Sequence, residues 1–154
     1  MKTLILYASK YGATEEIAKR IGKKMQDAVV FSLKQQKLPN LSEFDQIVIG
    51  SAIYAGSIRK EAKAFIAANL DELLSKPCAL FLSGISEDSA SFERNFPPKL
   101  LTHVKAKDIL GGAFEPKKAG AIERFIIKIV TKQAGPINRI DDTKISLFVD
   151  AISK

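Results

Sequence analysis

Apolar and polar positions along this chain follow two alternating patterns. Residues 3–8 form a continuous apolar run of strand length, and the polar, turn-forming segment 9–14 follows. Beyond it Ile17, Ile21 and Met25 recur every four residues with Ala18 and Gly22 beside them, so they share one helix face. Thr14 reads as the N-cap of this helix. Glu15 and Glu16 stand in its first turn, where the helix dipole favours negative charge.

The same alternation runs on. Residues 29–33 read as a second strand, Pro39-Asn40 as a loop, 46–50 as a third strand and 61–74 as a second helix. Pro77 opens a fourth apolar run at 78–82. A polar stretch and a helix from Phe92 to about Val104 follow, the helix interrupted at Pro97-Pro98. A fifth strand is expected at 109–114, and 143–152 has helical spacing at Ile145, Phe148, Val149 and Ile152.

Near-continuous apolar strands separated by amphipathic helices imply a parallel sheet covered on both faces. The expectation is therefore one α/β domain over residues 1–154: a doubly wound, five-stranded parallel sheet of order 2-1-3-4-5. Such sheets bind ligands outside the carboxyl ends of their strands, beside the switch point between strands one and three. Three loops follow those ends: 9–14, 51–57 and 83–91.

Composition narrows the class. With 46% apolar and 27% charged residues the chain lies well away from the range of disordered sequences. One cysteine, Cys78, and one histidine, His103, cannot build a disulfide or a thiolate metal site, which points to a reducing compartment. The opening apolar run is far shorter than a signal-peptide core or a membrane span of ~20 residues. The expected location is the cytoplasm. The net charge of +7 favours anionic partners, but no Trp and few aromatics accompany it, so nucleic acid is not expected. Cys78 reads as a buried apolar side chain and His103 as a surface residue.

The loop Ser9-Lys10-Tyr11-Gly12-Ala13-Thr14 puts two hydroxyls, a glycine and several backbone N–H groups at the mouth of a helix. That arrangement suits a phosphate. It is neither a Walker loop nor a Gly-x-Gly-x-x-Gly fingerprint, and from spacing alone an ordinary strand-to-helix turn accounts for it equally well. Between strand five and the last helix, Ile122, Phe125, Ile126, Ile129 and Val130 form one helical stripe, with Arg124, Lys128 and Lys132 on a neighbouring face. Residues 115–139 hold six basic and two acidic side chains, +4 of the total. The segment reads either as a surface helix with solvated lysines or as a contact for an anionic membrane or acidic ligand.

The stretch Ile5-Leu6-Tyr7-Ala8-Ser9-Lys10-Tyr11-Gly12-Ala13-Thr14 resembles the flavodoxin signature, in which a hydrophobic strand leads into Ser/Thr, two free positions, a small residue, one free position and Thr. The resemblance implies FMN, with its phosphate held by Ser9, Lys10, Tyr11, Gly12, Ala13 and Thr14. Tyr11 stands where electron-carrier flavodoxins commonly have a small hydroxyl residue. By the same resemblance Ser51, Ala52, Ile53, Tyr54, Ala55 and Gly56 form the second loop, against the flavin ring, and Ser83, Gly84, Ile85 and Ser86 a third wall.

The opening Met1-Lys2-Thr3-Leu4-Ile5-Leu6, the Gly50-Ser51-Ala52-Ile53 loop and Glu123-Arg124-Phe125-Ile126-Ile127-Lys128 are similar to the flavodoxin-like, quinone-dependent protoporphyrinogen oxidases, whose extra basic helical insert follows strand five. The insert here spans about 115–137. This likeness implies an FMN oxidoreductase of heme biosynthesis that oxidises protoporphyrinogen IX and passes electrons to a quinone. Arg124 and Lys128 would then contact substrate carboxylates or lipid headgroups, and the helix at 121–133 would touch an anionic membrane peripherally. The flavin carries the redox chemistry, so no catalytic side chain is assigned and no metal is expected. The alternative is a soluble electron carrier between protein partners. Such carriers are typically acidic, against +7 here. A phosphorylated receiver domain would need paired acids where Tyr7-Ala8-Ser9 and Gly50-Ser51 stand.

Overall fold

The computed structural model describes residues 1–85, 88–114 and 137–154. Its central sheet holds five parallel strands, β1 (Thr3–Ala8), β2 (Ala28–Ser32), β3 (Gln46–Tyr54), β5 (Cys78–Ser83) and β6 (Ala106–Ile109), in the order β2-β1-β3-β5-β6. The two-residue strand β4 (Ser57–Ile58) folds back antiparallel on β3. Once β4 is set aside, this is the expected 2-1-3-4-5 order.

Alternating side chains along each strand supply two cores. On one face Leu4, Leu6, Ile47, Ile49, Leu80 and Leu82 pack under α2 (Lys60–Leu74), α3 (Ala90–Asn95) and α4 (Pro98–His103), through Phe65, Ile66, Phe92, Phe96 and Leu100. On the other Ile5, Val48, Ala79 and Phe81 meet α1 (Ala13–Lys23) and α5 (Asp142–Ile152). The expected face of α1 is the buried one: Ile17, Ala18 and Ile21 are fully enclosed. Phe81 crosses to Phe148 edge-on, with ring centroids 6.2 Å apart. Asp141 caps α5 by accepting the Lys144 N–H at 3.0 Å.

Two elements differ from the sequence reading. The fifth strand lies at Ala106–Ile109 and not at 109–114. It is the sheet edge, where Lys107 and Asp108 are tolerated because one side of the strand faces water. The backbone leaves the sheet at Gly111 (φ 94), and Ala113–Phe114 (β7) pairs separately with Ile137–Asn138 (β8). The third strand is longer than expected and runs to Tyr54, which turns the anticipated loop 51–57 into a strand end and a hairpin. Cys78 is fully buried, and burial pushes its thiol up to about 12. His103 is half-buried rather than on the surface, because its Nε2 lies 2.7 Å from the Lys76 carbonyl oxygen.

Gly50 lies under the Phe81 ring, and a Cβ there would land inside that ring. G50A should therefore destabilise the fold by about 1–3 kcal/mol, the usual cost of overpacking a tight core. Urea denaturation measures this, and a change below about 0.5 kcal/mol would show that the sheet is packed more loosely than described.

Candidate functional site

Strands β1, β3 and β5 end side by side, and the chain leaving them encloses one cavity of about 310 Å³. This is where a doubly wound sheet offers a crevice, because the connections diverge to opposite faces there.

The first wall is the β1–α1 turn, from which Ser9, Lys10, Tyr11, Ala13 and Thr14 line the cavity. Ser9 Oγ accepts the Gly12 N–H at 3.0 Å, and Gly12 (φ 101) shapes the turn without lining the cavity. The first intrahelical bond runs from the Glu16 N–H to the Gly12 carbonyl at 3.0 Å. The amides of Ala13, Thr14 and Glu15 consequently have no partner within α1.

Thr14 is not the N-cap. The chain reverses at Gly12, two residues earlier than a Thr14 cap requires, and Thr14 falls inside the first turn. There it is 0% exposed, and its Oγ1 has no hydrogen-bond partner. Glu15 and Glu16 are drawn along the helix surface by Lys19 and Arg20, at 3.6 and 2.9 Å.

The second wall is Ala52, Ile53, Tyr54, Ala55 and Gly56. Ala55 (φ 52) and Gly56 (φ 80) are the two central residues of the β3–β4 hairpin, and positive φ at both defines a type I′ turn. For alanine that conformation costs roughly 1–2 kcal/mol. Lys10 Nζ sits 4.3 Å from the Tyr54 ring centroid and 5.3 Å from that of Tyr11, joining the first two walls by cation–π contact. Ser51 does not line the cavity. Its side chain is buried, donates to the Ala52 carbonyl and accepts the Arg59 N–H, both at 2.9 Å, and so fastens the hairpin's return.

Ser83, Gly84 and Ile85 form the third wall, backed by Gly112 and Ala113, with the Gly84 N–H donating to the Gly111 carbonyl at 3.0 Å. Ser86 lies outside the described residues, as do Arg124 and Lys128. A fourth side was missed in the sequence: Asp88, Ser91 and Arg94. Arg94 Nη2 donates to Asp88 Oδ2 at 2.7 Å and to Ser91 Oγ at 3.1 Å, while Asp88 Oδ1 accepts the Ala90 N–H at 3.1 Å. The Arg94 guanidinium and the Ala90 amide hold the Asp88 carboxyl below the usual carboxylate range. The available signal was Asp88 at helix-capping distance before α3, with a base six residues on.

Among the described residues the lining cations are Lys10 and Arg94, and the lining acid, Asp88, is paired with Arg94. Among the described residues no cluster of His, Cys, Asp or Glu could hold a metal ion. The cavity offers hydroxyls and amides at one end and apolar and aromatic surface at the other. Such a lining suits a planar organic group with an anionic tail.

A family model described as a flavodoxin domain matches residues 4–139, and the chain belongs to that family. Flavodoxin domains are FMN proteins, and FMN is the cofactor that membership assigns. The chain is 24% identical over 147 residues to protoporphyrinogen IX dehydrogenase [quinone] of Escherichia coli strain K12, covering 88% of this chain and 81% of that protein. In fold it is similar to a Lactobacillus acidophilus flavoprotein solved in complex with FMN (TM-score 0.56, 18% identity, 70% of this chain and 92% of that one). A flavo di-iron protein of Thermotoga maritima is also similar (TM-score 0.60, 18% identity), with 99% of this chain matching 35% of that one.

The residues present fit the cofactor. A buried hydroxyl without a partner is unfavourable in a folded protein unless a ligand completes it, and Thr14 Oγ1 lies beside the unpaired amides of α1. The near-isosteric T14V change removes that unpaired group. It should leave the flavin-free protein as stable as the parent or up to about 1–3 kcal/mol more stable. Thermal unfolding of the apoprotein tests this, and a loss of stability would mean that Thr14 Oγ1 is satisfied within the protein.

Proposed function

We propose that this chain is an FMN-dependent oxidoreductase that oxidises protoporphyrinogen IX with a quinone as electron acceptor. The observation that carries the flavin site is the cavity at the strand ends, with the unpaired Thr14 hydroxyl at one end and the Tyr54 hairpin at the other. The substrate assignment is supported by the similarity to the Escherichia coli dehydrogenase over most of both chains.

FMN, when bound, supplies two-electron redox chemistry between an organic donor and a quinone. The protein's own residues hold and orient. Ser9, Thr14 and the first amides of α1 receive the phosphate, where helix dipole and donors favour an anion without a formal positive charge. Ala52 to Gly56 and Ser83 to Ile85 bound the ring, and Tyr54 supplies aromatic surface. Lys10 lies over Tyr54 at the cavity wall, and Arg94 is paired with Asp88 beside it. Arg124 and Lys128 are proposed for the substrate's carboxylates or lipid headgroups. The segment 121–133 is the proposed peripheral membrane contact, and the cytoplasm is the proposed location. Among the described residues no helix is long and apolar enough to cross a membrane.

Protein reconstituted with FMN should raise porphyrin fluorescence from protoporphyrinogen under nitrogen only when a quinone such as menadione is present. R124A/K128A should raise the porphyrinogen KM about tenfold or more, the usual loss for charge-assisted contacts. Bound, reducible FMN with no porphyrin above the protein-free rate would overturn the substrate assignment. The carrier reading would then stand, with a redox protein as partner.

A further inference from the structure

We infer that Asn95 is a positioning residue for the flavin ring, acting through the β3–β4 turn that walls the cavity. The inference rests on the reading that FMN occupies this cavity. Asn95 does not line the cavity and lies outside it, at the last position of α3, where it borders a neighbouring groove.

Its amide makes three hydrogen bonds. Nδ2 donates to the Gly56 carbonyl at 3.0 Å and to the Ser91 carbonyl at 2.8 Å, while Oδ1 accepts the Ile58 N–H at 3.1 Å. Exchanging amide oxygen and nitrogen would set oxygen against two carbonyls, so this orientation alone satisfies all three partners. Two of those partners belong to the hairpin, one on each side of Ser57, and the third is Asn95's own helix.

The hairpin needs such a clamp. Its ladder has two residue pairs, Ile53 with Ile58 and Tyr54 with Ser57, and beyond them Ser51 holds the Arg59 N–H and Ile58 is buried in the core. A two-stranded ribbon this short has little stability of its own, and its turn keeps Ala55 in a conformation that L residues rarely adopt. The anchor at the other end is firm. Asp88 and Arg94 fix the start of α3, and Phe92 and Phe96, both buried, stack with centroids 5.9 Å apart. Asn95 thus transfers the rigidity of α3 to Tyr54, Ala55 and Gly56, which face the ring and not the phosphate.

That division gives the test. Flavin-free parent and N95A, with folding checked by circular dichroism, are compared by amide hydrogen exchange and then titrated with FMN and with riboflavin, which lacks the phosphate. The Ile58 amide should exchange faster in N95A. Both flavins should bind about tenfold more weakly by a common factor, because the lost bonds act on the ring wall. T14V should weaken FMN alone. If N95A does not fold, the isosteric N95D serves: it keeps an acceptor for the Ile58 N–H, loses the donor to Gly56, and should also weaken both flavins together. Parent-like affinity for both flavins in the folded variant would overturn the clamp, as would a loss confined to FMN. A parent protein that binds neither flavin would overturn the reading of the cavity itself, and this inference with it.

Discussion

A parallel sheet has to be covered on both faces, because each crossover lays a helix on one side or the other and the strands alternate between two cores. In this chain that requirement absorbs the apolar residues of β1, β3 and β5 completely. Leu4 and Leu6 go one way and Ile5 the other, and Ile47, Val48 and Ile49 repeat the division one strand over. Among the described residues only Met1 and Leu147 remain as large exposed hydrophobics. The strand interiors hold no room for a site. Binding is displaced to the strand ends, where the covering stops and the backbone changes direction.

What lies at those ends is mostly backbone and small side chains. Ser9, Thr14, Ser83 and Gly84 supply hydroxyls and amides, and Tyr54 and Ile53 supply surface. Such a set recognises and orients, and the redox chemistry comes with the FMN that family membership assigns. The unpaired Thr14 hydroxyl is where we propose that the cofactor's anionic end binds. Helix α1 makes that position favourable twice over, through its unpaired amides and through its dipole. Among the described lining residues, Lys10 lies over Tyr54 and Arg94 pairs with Asp88.

Much of this was legible in the order of residues. Five apolar runs with intervening helical periodicities gave the sheet order, since a parallel crossover admits few alternatives. The segment from Ser9 to Thr14, singled out at the end of the first strand, forms one wall of the cavity. The misread parts share a cause: periodicity reports burial, not pairing. Lys107 and Asp108 disguised the fifth strand because an edge strand needs little apolar surface, while the apolar residues after Leu110 belong to a separate pair of short strands. Thr14 looked like a cap because capping and ligand binding use the same hydroxyl. Whether the chain reverses before or after it is set by Ser9 and Gly12 together. Asp88, Ser91 and Arg94 escaped notice because their role depends on where α3 docks, and no local pattern encodes that.

The central claim is that FMN enters the strand-end cavity with its phosphate at the start of α1. The most direct measurement follows backbone amide resonances of the labelled apoprotein through parallel titrations with FMN and riboflavin. The account predicts that FMN shifts and protects the amides from Tyr11 to Glu15, that riboflavin leaves them nearly unchanged, and that both flavins move Tyr54 to Gly56. Saturation by FMN without change at residues 11–15 would contradict it, and would place the flavin somewhere other than the cavity at the strand ends.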